Sequence, residues 1–160
     1  MAQPWSYSNP MALTEIITGW FMRNQAKREG LATRTVLADT YRDLARLANQ
    51  LTLHAEKAPY NFMAERLRVM VAEKEKGIDL LCKGIEQLGA RVAKFDSSIP
   101  SGKNHWERIH QDVEDQKRVE ASLTGNASFL AHHAPAYGQL LRQLVEVERR
   151  HKAILLDLLA

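Results

Sequence analysis

Two residues near the C-terminus have the types and spacing of metal ligands. Glu148 and His151 stand three positions apart, which on an α-helix puts both on one face. A carboxylate and an imidazole on adjacent turns are donors for iron, manganese or zinc. Both fall on the apolar stripe of Tyr137, Leu140, Leu141, Leu144, Ile154, Leu155 and Leu158, so a helix that buries this stripe carries them inward. Rotating the helix by one residue towards Val147 would instead turn them to solvent; the stripe favours the inward reading.

Three more polar residues share such stripes. Lys74 lies between Met70 and Leu81 on one helix, and Gln116 and Glu120 lie between Val113 and Leu123 on another. The expected core polar cluster is therefore Lys74, Gln116, Glu120, Glu148 and His151. Gly77 follows Lys74 on its stripe, where a missing side chain allows close helix approach, a kink or a small apolar pocket; close packing is the expected reading. A buried carboxylate without a partner costs several kcal/mol or changes protonation. Lys74 is accordingly expected to pair with Glu148 or Glu120.

Other candidate residues carry less. Cys82 is the one cysteine, so no intrachain disulfide forms, and a lone cysteine in an apolar helix reads as a small core or boundary residue. His105 and His110 are five apart, a poor ligand spacing on a helix. His132 and His133 sit at a turn without acidic or thiol company. No Gly-x-Ser-x-Gly elbow, phosphate loop or dinucleotide fingerprint occurs.

The elements that position these residues are helical. The chain has 160 residues, 45% hydrophobic and 26% charged, with eight glycines and five prolines. An average chain of this length carries about 19 glycines and prolines together. So few breakers exclude a turn-rich β fold. Asn9-Pro10 suits a helix start, and Leu13, Ile16, Ile17, Trp20 and Phe21 predict a short amphipathic helix over 11–28 that fades at Gly30. It can pack on the bundle end, the preferred reading, or form a dimer contact. Residues 1–30 are thus an arm with a short helix, and 31–160 a bundle. Long helices are expected over about 31–55, 59–88, 105–131 and 135 to the end, with Gly89 a C-cap.

The stretch 91–104, centred on Ser97-Ser98-Ile99-Pro100-Ser101-Gly102, is the one clear loop. The preceding helix of about 30 residues is roughly 45 Å long. A linker of about 14 residues reaches up to roughly 46–50 Å, enough to return along the whole bundle. The pattern is helix hairpin, long crossover, helix hairpin, an all-α four-helix bundle with one crossover between its second and third helices.

Two stretches resemble the ferritin-like superfamily, of the rubrerythrin and bacterioferritin kind. One is Leu144-Val-Glu-Val-Glu148-Arg-Arg-His151 followed by Ile154-Leu-Leu; the other is Val71-Ala-Glu-Lys-Glu-Lys-Gly77 followed by Leu80-Leu81 and Gln87-Leu88-Gly89. The resemblance spans about residues 31–160. It implies a carboxylate di-metal site, with a Glu-x-x-His from each of two helices and a Glu from each of the others. The departures are specific. The family's Glu and His fall on Lys74 and Gly77 in the second long helix. In the first, Arg34, Leu37, Ala38, Tyr41, Leu44 and Ala48 include no acid, and Asp39 and Asp43 lie about 200° from Tyr41. In the third, the family Glu falls near Gln116, with Glu120 one turn on. Three usual ligands at most, Glu120, Glu148 and His151, remain where a two-metal site needs about six.

The expectation is a ferritin-like bundle that has lost its di-metal site. It would be non-catalytic, without a cofactor, and would self-associate or bind a protein partner. The alternative is a metal-binding stress or redox protein holding a single ion on Glu120, Glu148 and His151. A small apolar-ligand binder with a pocket at Gly77 is a third class. The net charge of +3 is spread among acidic neighbours such as Glu73-Lys74-Glu75-Lys76, which argues against nucleic acid. No apolar run suits a membrane span and no signal peptide is seen, so a cytoplasmic protein is expected.

Overall fold

The computed structural model describes residues 10–93 and 101–160, with side chains from residue 18 onward. Most of Ser97–Gly102, and the arm before Pro10, lie outside the described residues. Four helices are present: α1 Pro10–Glu56, α2 Asn61–Gln87, α3 His105–His133 and α4 Pro135–Leu159.

Local chemistry sets the helix ends. Gly89 adopts φ +75, the left-handed conformation that glycine reaches without steric cost. Its N–H donates to the Glu86 carbonyl at 2.9 Å and the Ala90 N–H to the Ile85 carbonyl at 3.1 Å, the paired bonds of a Schellman stop. At the start of α3, Asn104 Oδ1 accepts from the Glu107 N–H at 2.8 Å, and Glu107 Oε2 accepts from the Lys103 N–H at 2.8 Å. This reciprocal cap satisfies donors that a helix start leaves free. Pro135 occupies the first turn of α4, where its missing N–H is harmless.

The helices pack as a square. α1 lies beside α2 and α3, and α4 beside the same two, while α1 and α4, like α2 and α3, face each other across the diagonal. Two contacts fix the direction of the crossover. The Tyr137 hydroxyl, at the start of α4, donates to the Gly84 carbonyl at 3.4 Å near the end of α2. Arg108, at the start of α3, donates to the Lys57 carbonyl at 3.2 Å, just before α2 begins. The chain leaves α2 at one end of the bundle and starts α3 at the other, as the linker length predicts.

The core is built from the expected stripes. Leu37, Leu44, Leu51, Leu67, Met70, Leu81, Ile109, Leu123, Leu130, Leu141 and Leu155 are all fully or nearly fully buried. Gly77 serves close packing: a Cβ there would stand 2.9 Å from Leu144 Cδ2. Leu144 fills the space that could have been a pocket. Trp106, three residues before the buried Ile109 and so at helical spacing with the α3 core residues, is nevertheless 59% exposed. It sits in the first turn, where α3 has barely met its neighbours.

The N-terminal segment differs from expectation. There is no break at Gly30: the short helix and the first long helix are one element of 47 residues. A glycine inside a helix costs about 1 kcal/mol relative to alanine, far less than a proline, and the flanking residues are good helix formers. The continuous helix is roughly 70 Å long against roughly 40 Å for α2. Burial begins at Thr33, so the preceding turns extend beyond the bundle end rather than folding back onto it.

Nothing lies within 4 Å of a Cβ built at Gly30. Gly30→Ala is therefore expected to stabilise the helix locally by roughly 0.5–1 kcal/mol. Hydrogen exchange of the amides around residues 26–36 should slow several-fold. Unchanged or faster exchange would contradict a helix that continues through this position.

Candidate functional site

Midway along the bundle, polar side chains from three of the helices replace the leucines. α2 contributes Lys74, α3 Gln116, and α4 Glu148 and His151; all four are at most 2% exposed. The reason lies in the stripes themselves, since each residue occupies a core position between apolar neighbours and the helix cannot bury those without burying it.

Lys74 Nζ donates to Glu148 Oε2 in a very close contact, and to Gln116 Oε1 at 3.0 Å. Gln116 Nε2 donates to Glu148 Oε2 at 2.5 Å and to the Glu148 backbone carbonyl at 3.0 Å. With both amide groups of Gln116 engaged, its orientation follows from the network. On the far side, His151 Nε2 lies 2.8 Å from Glu73 Oε2. His151 Nδ1 lies 3.6 Å from Glu148 Oε1, a distance at which the attraction is electrostatic rather than a hydrogen bond.

These contacts decide the charge on Glu148. Burial by itself would push its carboxyl up. The facing His151, the Lys74 ammonium and the Gln116 amide together outweigh burial and hold it at about 2, against an ordinary 4.5. Burial pulls the Lys74 ammonium below the usual lysine range, and the Glu148 charge opposes that pull. Glu148 is thus an anion at neutral pH, with Lys74 as its donor.

Glu120 is not part of this cluster. Its carboxylate turns along the outer α3–α4 seam, to Lys152 Nζ at 2.5 Å and Arg149 Nε at 3.3 Å. Val119 takes the inward position beside it. The two neighbours differ by about 100° around the helix, and the apolar one is buried because that costs no desolvated charge. Of the two carboxylates open to Lys74, Glu148 is the one that it meets.

A second buried polar group adjoins the first and was not expected. His54 Nδ1 lies 2.8 and 2.9 Å from the two Asp112 oxygens, and Gln50 Nε2 donates to Asp112 Oδ1 at 2.8 Å. Burial pushes the Asp112 carboxyl up, while the His54 and Gln50 contacts oppose the shift. Asp112 stands one turn before Gln116, and its charge also acts on Lys74. The signal was present in the sequence: His54 follows Leu47 and Leu51 at helical spacing, and Asp112 follows Ile109 by three.

The remaining candidates are peripheral. His110, His132 and His133 are exposed, and Cys82 is partly buried, with burial pushing its thiol up. Among the described residues, no group of three His, Cys, Asp or Glu is placed to hold a metal ion. None of the described helices is long and apolar enough to cross a membrane.

Four helices in antiparallel contact, with one long crossover between the second and third, have the connectivity of a ferritin-like fold. No family model matches the sequence, and no curated protein is detectably similar to it. Among solved structures, the chain is similar to Desulfovibrio desulfuricans bacterioferritin, a protein with a diiron site. The TM-score is 0.75 at 11% identity, over 84% of this chain and 81% of that one. At that identity the likeness is one of fold.

The ion pair carries a pH signature. Glu148 is held lower in the folded protein than in the unfolded chain, so its stabilisation is complete above about pH 4.5. It is lost as the pH falls towards 2, for a total of about 3 kcal/mol. In urea unfolding, the wild type should lose more stability over this window than a Lys74→Met/Glu148→Leu variant. Equal losses would contradict the assignment.

Proposed function

We propose that this chain is a non-catalytic ferritin-like bundle whose di-metal site has been replaced by an internal ion pair, and that it works by self-association or by binding a protein partner. The observation that carries the reading is Lys74. Its ammonium rests on Glu148 and Gln116, in the core layer where the resemblance puts metal ligands. The donor chemistry agrees. A protonated lysine has no lone pair for a metal, Gln116 and Glu148 are committed to it, and His151 Nε2 is engaged by Glu73. Glu120 points to the outer seam. This set does not fit a dinuclear iron centre, and no redox step follows from it. A single ion on Glu148 and His151, the alternative, would have to displace Lys74 and would lack Glu120.

The association reading rests on α1. Trp20, Phe21, Met22 and Leu31 are 59–68% exposed on the part of the helix that extends beyond the bundle. Trp20 and Leu31, eleven residues apart, lie within about 20° of each other around the helix, whereas Leu37 of the core lies about 100° from Trp20. Trp20 and Leu31 therefore share a face apart from the core face, with Phe21 and Met22 about 100° and 200° further round the same exposed turns. Exposed apolar clusters of this kind mark interaction surfaces.

Sedimentation of the full chain over a range of concentrations tests this. The wild type is expected to exceed the monomer mass, increasingly so at higher concentration. A Trp20→Ser/Phe21→Ser/Leu31→Ser variant should shift at least tenfold towards monomer with unchanged circular dichroism. A wild type that stays monomeric, and retrieves no partner that the variant fails to retrieve, would overturn the reading.

A further inference from the structure

We propose that the overhang of α1 docks against an acidic surface of another protein, an apolar strip bordered by carboxylates. This rests on the association reading above and names the partner chemistry for the same face. Along the sequence the net charge looks evenly spread, but placed on the helices it is not. Residues 18–34 carry Arg23, Lys27, Arg28 and Arg34 against one acid, Glu29, a net of +3 that equals the net charge of the whole chain. The rest of the molecule is balanced.

Position around the helix gives this charge a shape. Relative to Trp20, Lys27, Arg34 and Arg23 lie about 20°, 40° and 60° to one side, and Leu31 and Arg28 about 20° and 80° to the other. All four cations therefore border the strip from Trp20 to Leu31, while Glu29 stands about 180° away. Arg23, Lys27 and Arg28 are exposed, and none of them pairs with a carboxylate among the described residues. Glu29 accepts from Gln25 at 3.2 Å instead, and Arg34 donates to the Gly30 carbonyl at 3.4 Å. Cations on the bundle are treated differently. Arg42, Arg68, Lys117, Arg118 and Arg149 each meet an acid three residues earlier, at 2.7–3.1 Å.

The partner's chemistry follows from complementarity. Unpaired cations along an apolar strip fit carboxylates along an apolar strip. The residue types point to a protein: aromatic residues, Met and Arg are enriched in protein interfaces, and the guanidinium fork matches a carboxylate. Lys27 lies on the strip itself, between Trp20 and Leu31. A facing carboxylate satisfies it there, whereas burial in a lipid layer would leave it without a partner. A second copy of this chain offers no such surface. Paired overhangs would set cation against cation, and the bundle's acids already have the neighbours named above. Homotypic pairing is thus the weaker use of this face, and salt strengthens it; salt weakens docking to an acidic partner.

The test is titration of the full chain with a helical peptide that has leucine at the a and d positions of each heptad and glutamate elsewhere. The same peptide with lysine in place of glutamate is the control. The glutamate peptide should bind and the lysine peptide should not, and affinity should fall at least about tenfold between about 0.05 and 0.5 M salt. Arg23→Gln/Lys27→Gln/Arg28→Gln should lose at least about tenfold in affinity, with unchanged circular dichroism. No binding, equal binding of both peptides, an unaffected glutamine variant, or binding to phosphatidylserine vesicles or duplex DNA in place of the peptide would overturn the proposal. If the serine variant described above loses association while the glutamine variant keeps it, this inference fails and the association reading stands.

Discussion

Two opposite charges in contact at the centre of an apolar bundle, Lys74 and Glu148, set the terms for everything around them. Removing either ion from water costs several kcal/mol, and their attraction offsets that cost only when geometry is good and the remaining donors and acceptors are filled. The surroundings meet this condition. Gln116 bridges both side chains, and His151 faces Glu148 while holding Glu73. Remaining Asp112 charge is met by His54 and Gln50. A polar layer of this kind fixes helix register, because sliding any helix by one turn would leave a charge against leucine.

The topology is what allows three elements distant in sequence to meet. α3 and α4 form one tight hairpin through Ala134, and α1 and α2 form another through residues 57–60. Only a connection that returns along the full length can start α3 beside the α1–α2 turn, where Arg108 fastens it to Lys57. That return sets Gln116 and Glu148 at the height of Lys74. The fold is similar to that of bacterioferritin, and a fold by itself does not fix the chemistry at its centre, because function resides in sites rather than folds.

The helix boundaries and most of the core were legible because they depend on local rules. Pro135, Gly89 and the Asn104–Glu107 cap act over one turn, and leucines at helical spacing bury together. The polar layer was partly legible for the same reason: Lys74, Gln116, Glu148 and His151 interrupt otherwise apolar stripes. Glu120 was misread because Val119 and Glu120 are adjacent, and only the packed bundle decides which of them faces inward. His54 and Asp112 were missed because each lies at the edge of its stripe, and their burial depends on their finding each other across α1 and α3. Gly30 weakens the helical pattern only modestly, and the strong helix formers around it carry α1 through. The overhang of α1 that results is a tertiary fact, visible only once the bundle's end is known.

Lys74 and Glu148 stabilise each other as a buried ion pair, and a double-mutant cycle on equilibrium unfolding measures this directly. Lys74→Met and Glu148→Leu alone should each cost about 3–5 kcal/mol, since each leaves one buried ion without its partner. The double variant should recover most of that loss, giving a coupling of at least about 2 kcal/mol. Additive losses, with no coupling between the two positions, would contradict the account.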